Sequence, residues 1–294
     1  MGAEARGARF GARLAVAMAA YGPVCVGIDP HAGLLAQWDL DDDVDGLRRF
    51  ALTVTEALLG RVAALKPQAA FFERHGSRGV AVLEEVIAMA AGSPTQVVVD
   101  AKRGDIGSTM AGYADAYLRD GSPLAGDALT VSPYLGFGSL EPALEEAGRS
   151  RRGLFVLALT SNREGAEVQH ARAVADGAAR VVGDGDPSAA DATTSVAGVI
   201  VAHAAALNAA ELAAGGDLGP AGAGALGSVG LVVGATVAAD ALRLGIDLAG
   251  VRGPLLAPGF GAQGAGAAEL AAFGAARSAV LASTSRARSP TRRT

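Results

Sequence analysis

Lys102 stands between Asp100 and Asp105 in the stretch QVVVDAKRGDIGST, residues 96–109. With Lys66 it is one of only two lysines among 25 basic residues. Arginine fills every other basic position, so the general task of keeping a surface charged does not explain these two. A guanidinium stays charged and spreads its donors over a planar fork, whereas lysine carries a compact ammonium that can give up a proton when buried. Acid, base or Schiff-base chemistry is therefore open to lysine and closed to arginine. The alternative is a GC-rich coding bias that purges lysine codons and leaves two survivors by drift. The setting of Lys102 argues for chemistry: it follows the apolar run VVVD, which reads as a buried parallel strand with a charged cluster at its end.

The elements that must position such a cluster recur along the chain. Short apolar runs stand at PVCVGI (23–28), VAALK (62–66), QVVVDA (96–101), DALTVS (127–132), LFVLAL (154–159), GLVVGA (230–235), PLLA (254–257) and SAVLAST (278–284). Helical patterns lie between them, as in DVDGLRRFALTVTEALLG, whose acids sit at the end the helix dipole prefers. Strands alternating with helices imply βαβ units and a parallel sheet. Eight of them in 294 residues predict an α/β fold, a single-domain (β/α)8 TIM barrel, for which about 250 residues are typical. The expected organisation is an N-terminal helical lead-in over 1–22, the barrel over 23–286, a Gly/Ala-rich insert at about 182–229 and a disordered basic tail over 287–294. Within the insert, SVAGVIVAHAAALNAAELA reads as a helix.

In such a barrel, polar residues at the carboxyl ends of the strands face the active site. Those ends carry Asp29, Lys66, Asp100 with Lys102, and Thr160 with Ser161, so both lysines fall on the catalytic rim. Taken singly, Asp29 fits a turn cap before Pro30, and Thr160 or Ser161 fits a helix cap. Together, Lys66, Asp100, Lys102 and Asp105 alternate in sign, which answers the high cost of burying unpaired charge. A second site is APGFGAQG, where Gly259, Gly261 and Gly264 match G-x-G-x-x-G. A dinucleotide reading fails because no acidic residue follows Glu269 to hold a ribose. What remains is a backbone able to approach an anion, placed where barrels commonly bind phosphate, with Arg286 in the next loop as a bidentate partner.

Other classes recede. A formal charge of −5 argues against a nucleic-acid partner held by bulk electrostatics. The one cysteine, Cys25, excludes an internal disulfide and reads as core. His31, His75, His170 and His203 show no metal-binding spacing, and no Walker A motif is present. Arg6, Arg9 and Arg13 beside LAVAMAA fit the polar face of an ordinary helix better than a secretory signal. Residues 218–239 are apolar only through Gly and Ala, a poor spanning helix. The expectation is a soluble, cytoplasmic protein without membrane contact.

DAKRGDIGST matches the D-x-K-x-x-D signature of the orotidine 5'-monophosphate decarboxylase family. GIDPH, ALKPQAAFFE, LTVSPYLGFGSLEPAL, LALTSN, GLVVGAT and LAPGFGAQG resemble the bacterial branch of that family in the same order, from about residue 23 to 286. The resemblance implies a barrel homodimer that converts orotidine 5'-monophosphate (OMP) to UMP and CO2 with no cofactor and no metal. It implies that Lys66, Asp100, Lys102 and Asp105 form a charged tetrad, with Asp105 reaching into the neighbouring subunit's site. It also implies that Asp29 and Lys66 hold the ribose, Thr109 meets the neighbour's substrate, Thr160 or Ser161 meets the pyrimidine, and Gln263 and Arg286 bind phosphate. Two other readings stay open: a barrel enzyme using the same spacing on a sugar phosphate with Mg2+, and an inactive barrel that binds a nucleotide.

Overall fold

β-Branched and small apolar side chains suit a pleat that is covered on both faces. Eight such runs form the strands β1 (Val24–Ile28), β2 (Ala64–Pro67), β3 (Gln96–Arg103), β4 (Ala128–Val131), β5 (Gly153–Leu159), β9 (Val229–Val233), β10 (Leu255–Pro258) and β11 (Val280–Thr284). Each lies within two residues of the run expected from sequence at either end. The structure, a computed structural model, describes residues 7–174, 180–181, 193–215, 225–261 and 264–284. The eight strands pair in parallel and close on themselves in the order β1-β11-β10-β9-β5-β4-β3-β2. The predicted (β/α)8 barrel is therefore present.

Helices cover the outside. In α3 (Val44–Leu58), Leu47, Phe50, Ala51 and Val54 are buried, the i, i+3, i+4, i+7 stripe of a helix lying on a core. Asp43 caps it, its Oδ1 accepting from Gly46 N at 2.8 Å. Before it come α1 (Phe10–Tyr21) and α2 (Ala32–Gln37); after it come α4 (Ala69–Glu73), α5 (Gly76–Ala90), α6 (Gly107–Tyr117), α7 (Glu141–Arg149) and α8 (Gly165–Gln169). A three-stranded antiparallel sheet of β6 (Arg172–Val174), β7 (Arg180–Val181) and β8 (Thr193–Ser195) then interrupts the alternation. The chain returns through α9 (Val196–Ala213), and α10 (Ala238–Arg243) and α11 (Ala267–Ala271) complete the set.

By length and composition alone α9 is apolar enough to cross a membrane. Its contacts give it another role, because it packs on β5 and β9 as a barrel helix. Buried Asn208 donates to Val229 O at 2.8 Å and to Val251 O at 2.9 Å, and its Oδ1 accepts from Val229 N at 3.0 Å.

Side chains alternate between two cores. Val97, Val99, Leu129 and Val156 join the cluster under the helices, while Cys25, Ala64, Val98, Ala128, Phe155, Val232, Leu256 and Leu281 fill the barrel interior. Helix α1 supplies Phe10, Leu14 and Ala17 to that interior. Phe10 meets Phe155 edge-on, with centroids 5.9 Å apart. Arg13 fixes the helix across the N-terminal ends of the strands, donating to Gln96 Oε1 at 3.2 Å, Asp127 Oδ1 at 2.8 Å and Arg151 O at 2.8 Å. Helix α1 thus plugs the bottom of the barrel and leaves the top open.

Candidate active site

Side chains two apart on a strand share a face. The inward face of β3 therefore runs from apolar Val98 to Asp100 and then Lys102, and that of β2 from Ala64 to Lys66. Charge begins one step above the sealed apolar layer. A cavity of about 410 Å³ opens there, lined by Asp29, Lys66, Gln68, Asp100, Lys102, Thr130, Thr160, Ser161, Asn162, Gln169 and Ser283, with Leu157, Val232, Leu256, Pro258 and Phe260 as its apolar wall. This is the carboxyl end of the barrel, where such folds carry their chemistry.

Asp100 is the hub. Its Oδ2 accepts from Lys66 Nζ at 2.9 Å, and its Oδ1 accepts from Lys102 Nζ at 2.6 Å and from Thr130 Oγ1 at 2.8 Å. The Gln68 amide completes the cluster: turned with its nitrogen toward Asp100 Oδ2, its oxygen accepts from Lys102 Nζ at 3.3 Å. Burial opposes ionisation of Asp100, but Lys66 and Lys102 outweigh it and hold the carboxyl at a pKa of about 2. Burial likewise works against the Lys66 ammonium, and Asp100 and Asp29 more than compensate, raising it above the usual lysine range. Asp100 and Lys66 are thus ionised across the neutral range.

The two lysines differ in freedom. The Lys66 side chain is 7% exposed and that of Lys102 is 45% exposed. Lys102 also has a φ of 47°, rare for a residue with a Cβ, where the β3–β4 ladder shifts register. Asp29 is buried, and burial raises its carboxyl above the usual range although Lys66 opposes this. Its Oδ1 lies 3.8 Å from Lys66 Nζ and has no hydrogen-bond donor among the described residues. A buried acceptor facing a cavity without a donor is suited to receive a ligand hydroxyl.

Thr160 is held in place by Gln169, whose Oε1 accepts from Thr160 N at 2.9 Å and whose Nε2 donates to Thr160 Oγ1 at 2.7 Å. Gly259 lines the cavity, and Gly261 and Gly264 follow in the same loop. All three take positive φ, at 115°, 74° and 90°, which explains glycine at each position.

Of the residues singled out from sequence, the cavity gathers Asp29, Lys66, Asp100, Lys102, Thr160, Ser161 and Gly259. Asp105 and Thr109 do not line it. Asp105 accepts from Ile106 N at 2.8 Å through Oδ1, and Thr109 is exposed in the first turn of α6. Gln263 and Arg286 lie outside the described residues. His31 caps α2, its Nδ1 accepting from Leu34 N at 3.1 Å. Cys25 is buried and its thiol is pushed up to about 12 by that burial, in keeping with a core residue. The sequence reading missed Gln68, Thr130, Asn162, Gln169 and Ser283. Strand alternation carried a signal for Thr130, two residues past interior Ala128, and for Ser283, two past interior Leu281.

Comparison with known proteins places this geometry. Residues 22–279 match the profile described as the Orotidine 5'-phosphate decarboxylase / HUMPS family. The orotidine 5'-phosphate decarboxylase of Streptomyces coelicolor is 55% identical over 94% of this chain and 88% of its own length. That of Salinispora arenicola is 55% identical with the same coverage of each chain. The crystal structure of a protein titled as orotidine 5'-phosphate decarboxylase from Streptomyces avermitilis aligns with a TM-score of 0.79 at 55% identity, over 95% of this chain and 87% of that one. The Leishmania donovani OMP decarboxylase aligns with a TM-score of 0.62 at 28% identity, over 95% and 90% of the two chains. The profile runs from the start of β1 almost to β11 and takes in every strand that supplies the lysine and aspartate array, so the chain belongs to the orotidine 5'-phosphate decarboxylase / HUMPS family.

Proposed function

We propose that the protein is the decarboxylase of OMP, releasing CO2 and forming UMP in pyrimidine biosynthesis. The observation that carries this reading is the Lys66–Asp100–Lys102 array at the mouth of the cavity, in a chain 55% identical to relatives named for this activity. In the proposed reaction the C6–carboxylate bond breaks, its electron pair stays on C6, and Lys102 delivers a proton there. Before bond cleavage the substrate carboxylate faces Asp100. At about 4 Å and an effective dielectric near 20, two unit charges repel by roughly 4 kcal/mol. That repulsion falls away as neutral CO2 departs, while the Lys102 ammonium stabilises the developing carbanion. Contacts made at a distance from C6 offset the ground-state strain. Asp29, with its free oxygen, and Lys66 take the ribose hydroxyls. Thr160, with Ser161 beside it, takes the pyrimidine, and Gln263, Arg286 and the glycine loop take the phosphate.

The reading includes a homodimer with shared sites, in which Asp105 and Thr109 act on the partner's substrate. Their position off their own cavity supports this. So does exposed apolar surface around them, with Ile106 at 62% and Tyr134 at 77% exposed on adjacent loops. It further places the enzyme in the cytoplasm, with no cofactor, no metal and no nucleic-acid or membrane partner.

The test follows the orotate absorbance of OMP mixed with purified protein in EDTA, with Lys102→Ala in parallel. Loss of absorbance with wild type alone is the expected result. Activity that needs added Mg2+, or a folded wild type that binds UMP without turnover, would replace this reading with a sugar-phosphate enzyme or an inactive barrel.

A further inference from the structure

We propose that Thr130 is a positioning residue for the decarboxylation, acting through both members of the Asp100–Lys102 pair; the inference rests on the decarboxylase reading above. Thr130 is the third residue of β4 and is 1% exposed. Its hydroxyl accepts from Lys102 N at 2.9 Å and donates to Asp100 Oδ1 at 2.8 Å. A hydroxyl has a single proton. With an N–H already directed at its oxygen, that proton has one productive direction, toward Asp100. No proton is left for the substrate, so the residue acts through its two neighbours.

Each neighbour needs what Thr130 gives. Lys102 occupies a left-handed backbone conformation at the point where the β3–β4 ladder changes register. The side chain of Thr130 takes the Lys102 N–H there and steadies the backbone from which the catalytic ammonium projects. Asp100 must keep one oxygen toward Lys102 and the other toward Lys66, and the bond from Thr130 to Oδ1 fixes that orientation. The reaction itself makes this contact more important. When Lys102 surrenders its proton to C6 it becomes a neutral amine, and Asp100 loses one of its two cationic partners. The Thr130 proton remains and holds the carboxylate in place until Lys102 is reprotonated.

The experiment compares Thr130→Val, which removes the hydroxyl with little change of shape, and Thr130→Ser, which keeps it. For Thr130→Val, kcat is expected to fall about 10- to 100-fold, the scale of a small misplacement of catalytic groups. The affinity for UMP, read from thermal-shift titration, is expected to stay within about 3-fold because the hydroxyl is not spent on ligand. Asp100 loses a donor to its charged form, so the acidic limb of the kcat–pH profile moves to higher pH. Thr130→Ser is expected to restore both kcat and the acidic limb. The inference is overturned if Thr130→Val keeps wild-type kcat and pH profile. It is equally overturned if UMP affinity falls in proportion to kcat, or if Thr130→Ser fails to rescue, since either marks a purely structural role. A wild type inert toward OMP would instead sink the decarboxylase reading, and this inference with it.

Discussion

At Lys102 two demands meet: the side chain must be charged beside Asp100, and it must be able to leave with a proton. Its side chain is 45% exposed against 7% for Lys66, which leaves it room to move while Lys66 stays anchored. Arginine satisfies the first demand alone, because its guanidinium does not release a proton and its fork is wider than an ammonium. Lys102→Arg is therefore expected to lower kcat by at least about a thousand-fold, within the range assigned to a positioned general acid. UMP is expected still to raise the melting temperature of the variant, because the phosphate and ribose contacts lie elsewhere; substantial residual turnover would contradict the assignment. The scarcity of lysine made this residue legible in the sequence, and strand ends made Asp29, Lys66 and Asp100 legible too. Thr130 lay on the same inward face, yet a threonine in a strand is so ordinary that only its bonds to Asp100 and Lys102 single it out. Gln169 was out of reach, because its clasp on Thr160 depends on how α8 folds back over β5.

The elements divide the work by height along the barrel. Helix α1 closes the bottom, the apolar interior fills the middle, and the charged array stands at the top. This arrangement makes Phe10 a test of fold without chemistry. It is fully buried, and a Cβ placed on Gly153 would come within 2.1 Å of its ring, so strand and helix are fitted to each other. Phe10→Ala is expected to destabilise the protein by about 3–5 kcal/mol, the usual range for emptying a buried aromatic site, with kcat of the folded fraction unchanged. Chemical denaturation beside steady-state kinetics reads both, and a variant with normal stability would mean that α1 is dispensable as a plug. The eight strands were legible because each is a short apolar run set between helical or turn-forming stretches. The N-terminal helix was legible as a helix, but its seat across the bottom of the barrel was not, since the amphipathic pattern names a face and not its partner. The sheet of β6, β7 and β8 left no trace at all, because strands of two or three residues are too short to show a period.

At the scale of the whole molecule, the array seen in one chain is three-quarters of the proposed tetrad. Asp105 stands at the start of the loop into α6, beside exposed Ile106 and outside its own cavity. In the proposed homodimer a second copy of the chain brings its cavity to this carboxylate. A closed twofold dimer does so reciprocally, each subunit completing the other. The arrangement makes an unusual prediction about mixtures. Lys102→Ala and Asp105→Asn should each be inactive as homodimers, since every site then lacks one member. In a mixed dimer, one site combines the intact Lys102 of one chain with the intact Asp105 of the other, and the second site carries both lesions. Equal amounts of the two variants, allowed to exchange subunits, form mixed dimers for about half of the population, so activity should rise to roughly one quarter of wild type. Time-dependent recovery on mixing two silent proteins is the signature to measure. If Asp105 serves its own subunit, the mixed dimer contains no complete site, and the mixture stays as silent as its parts.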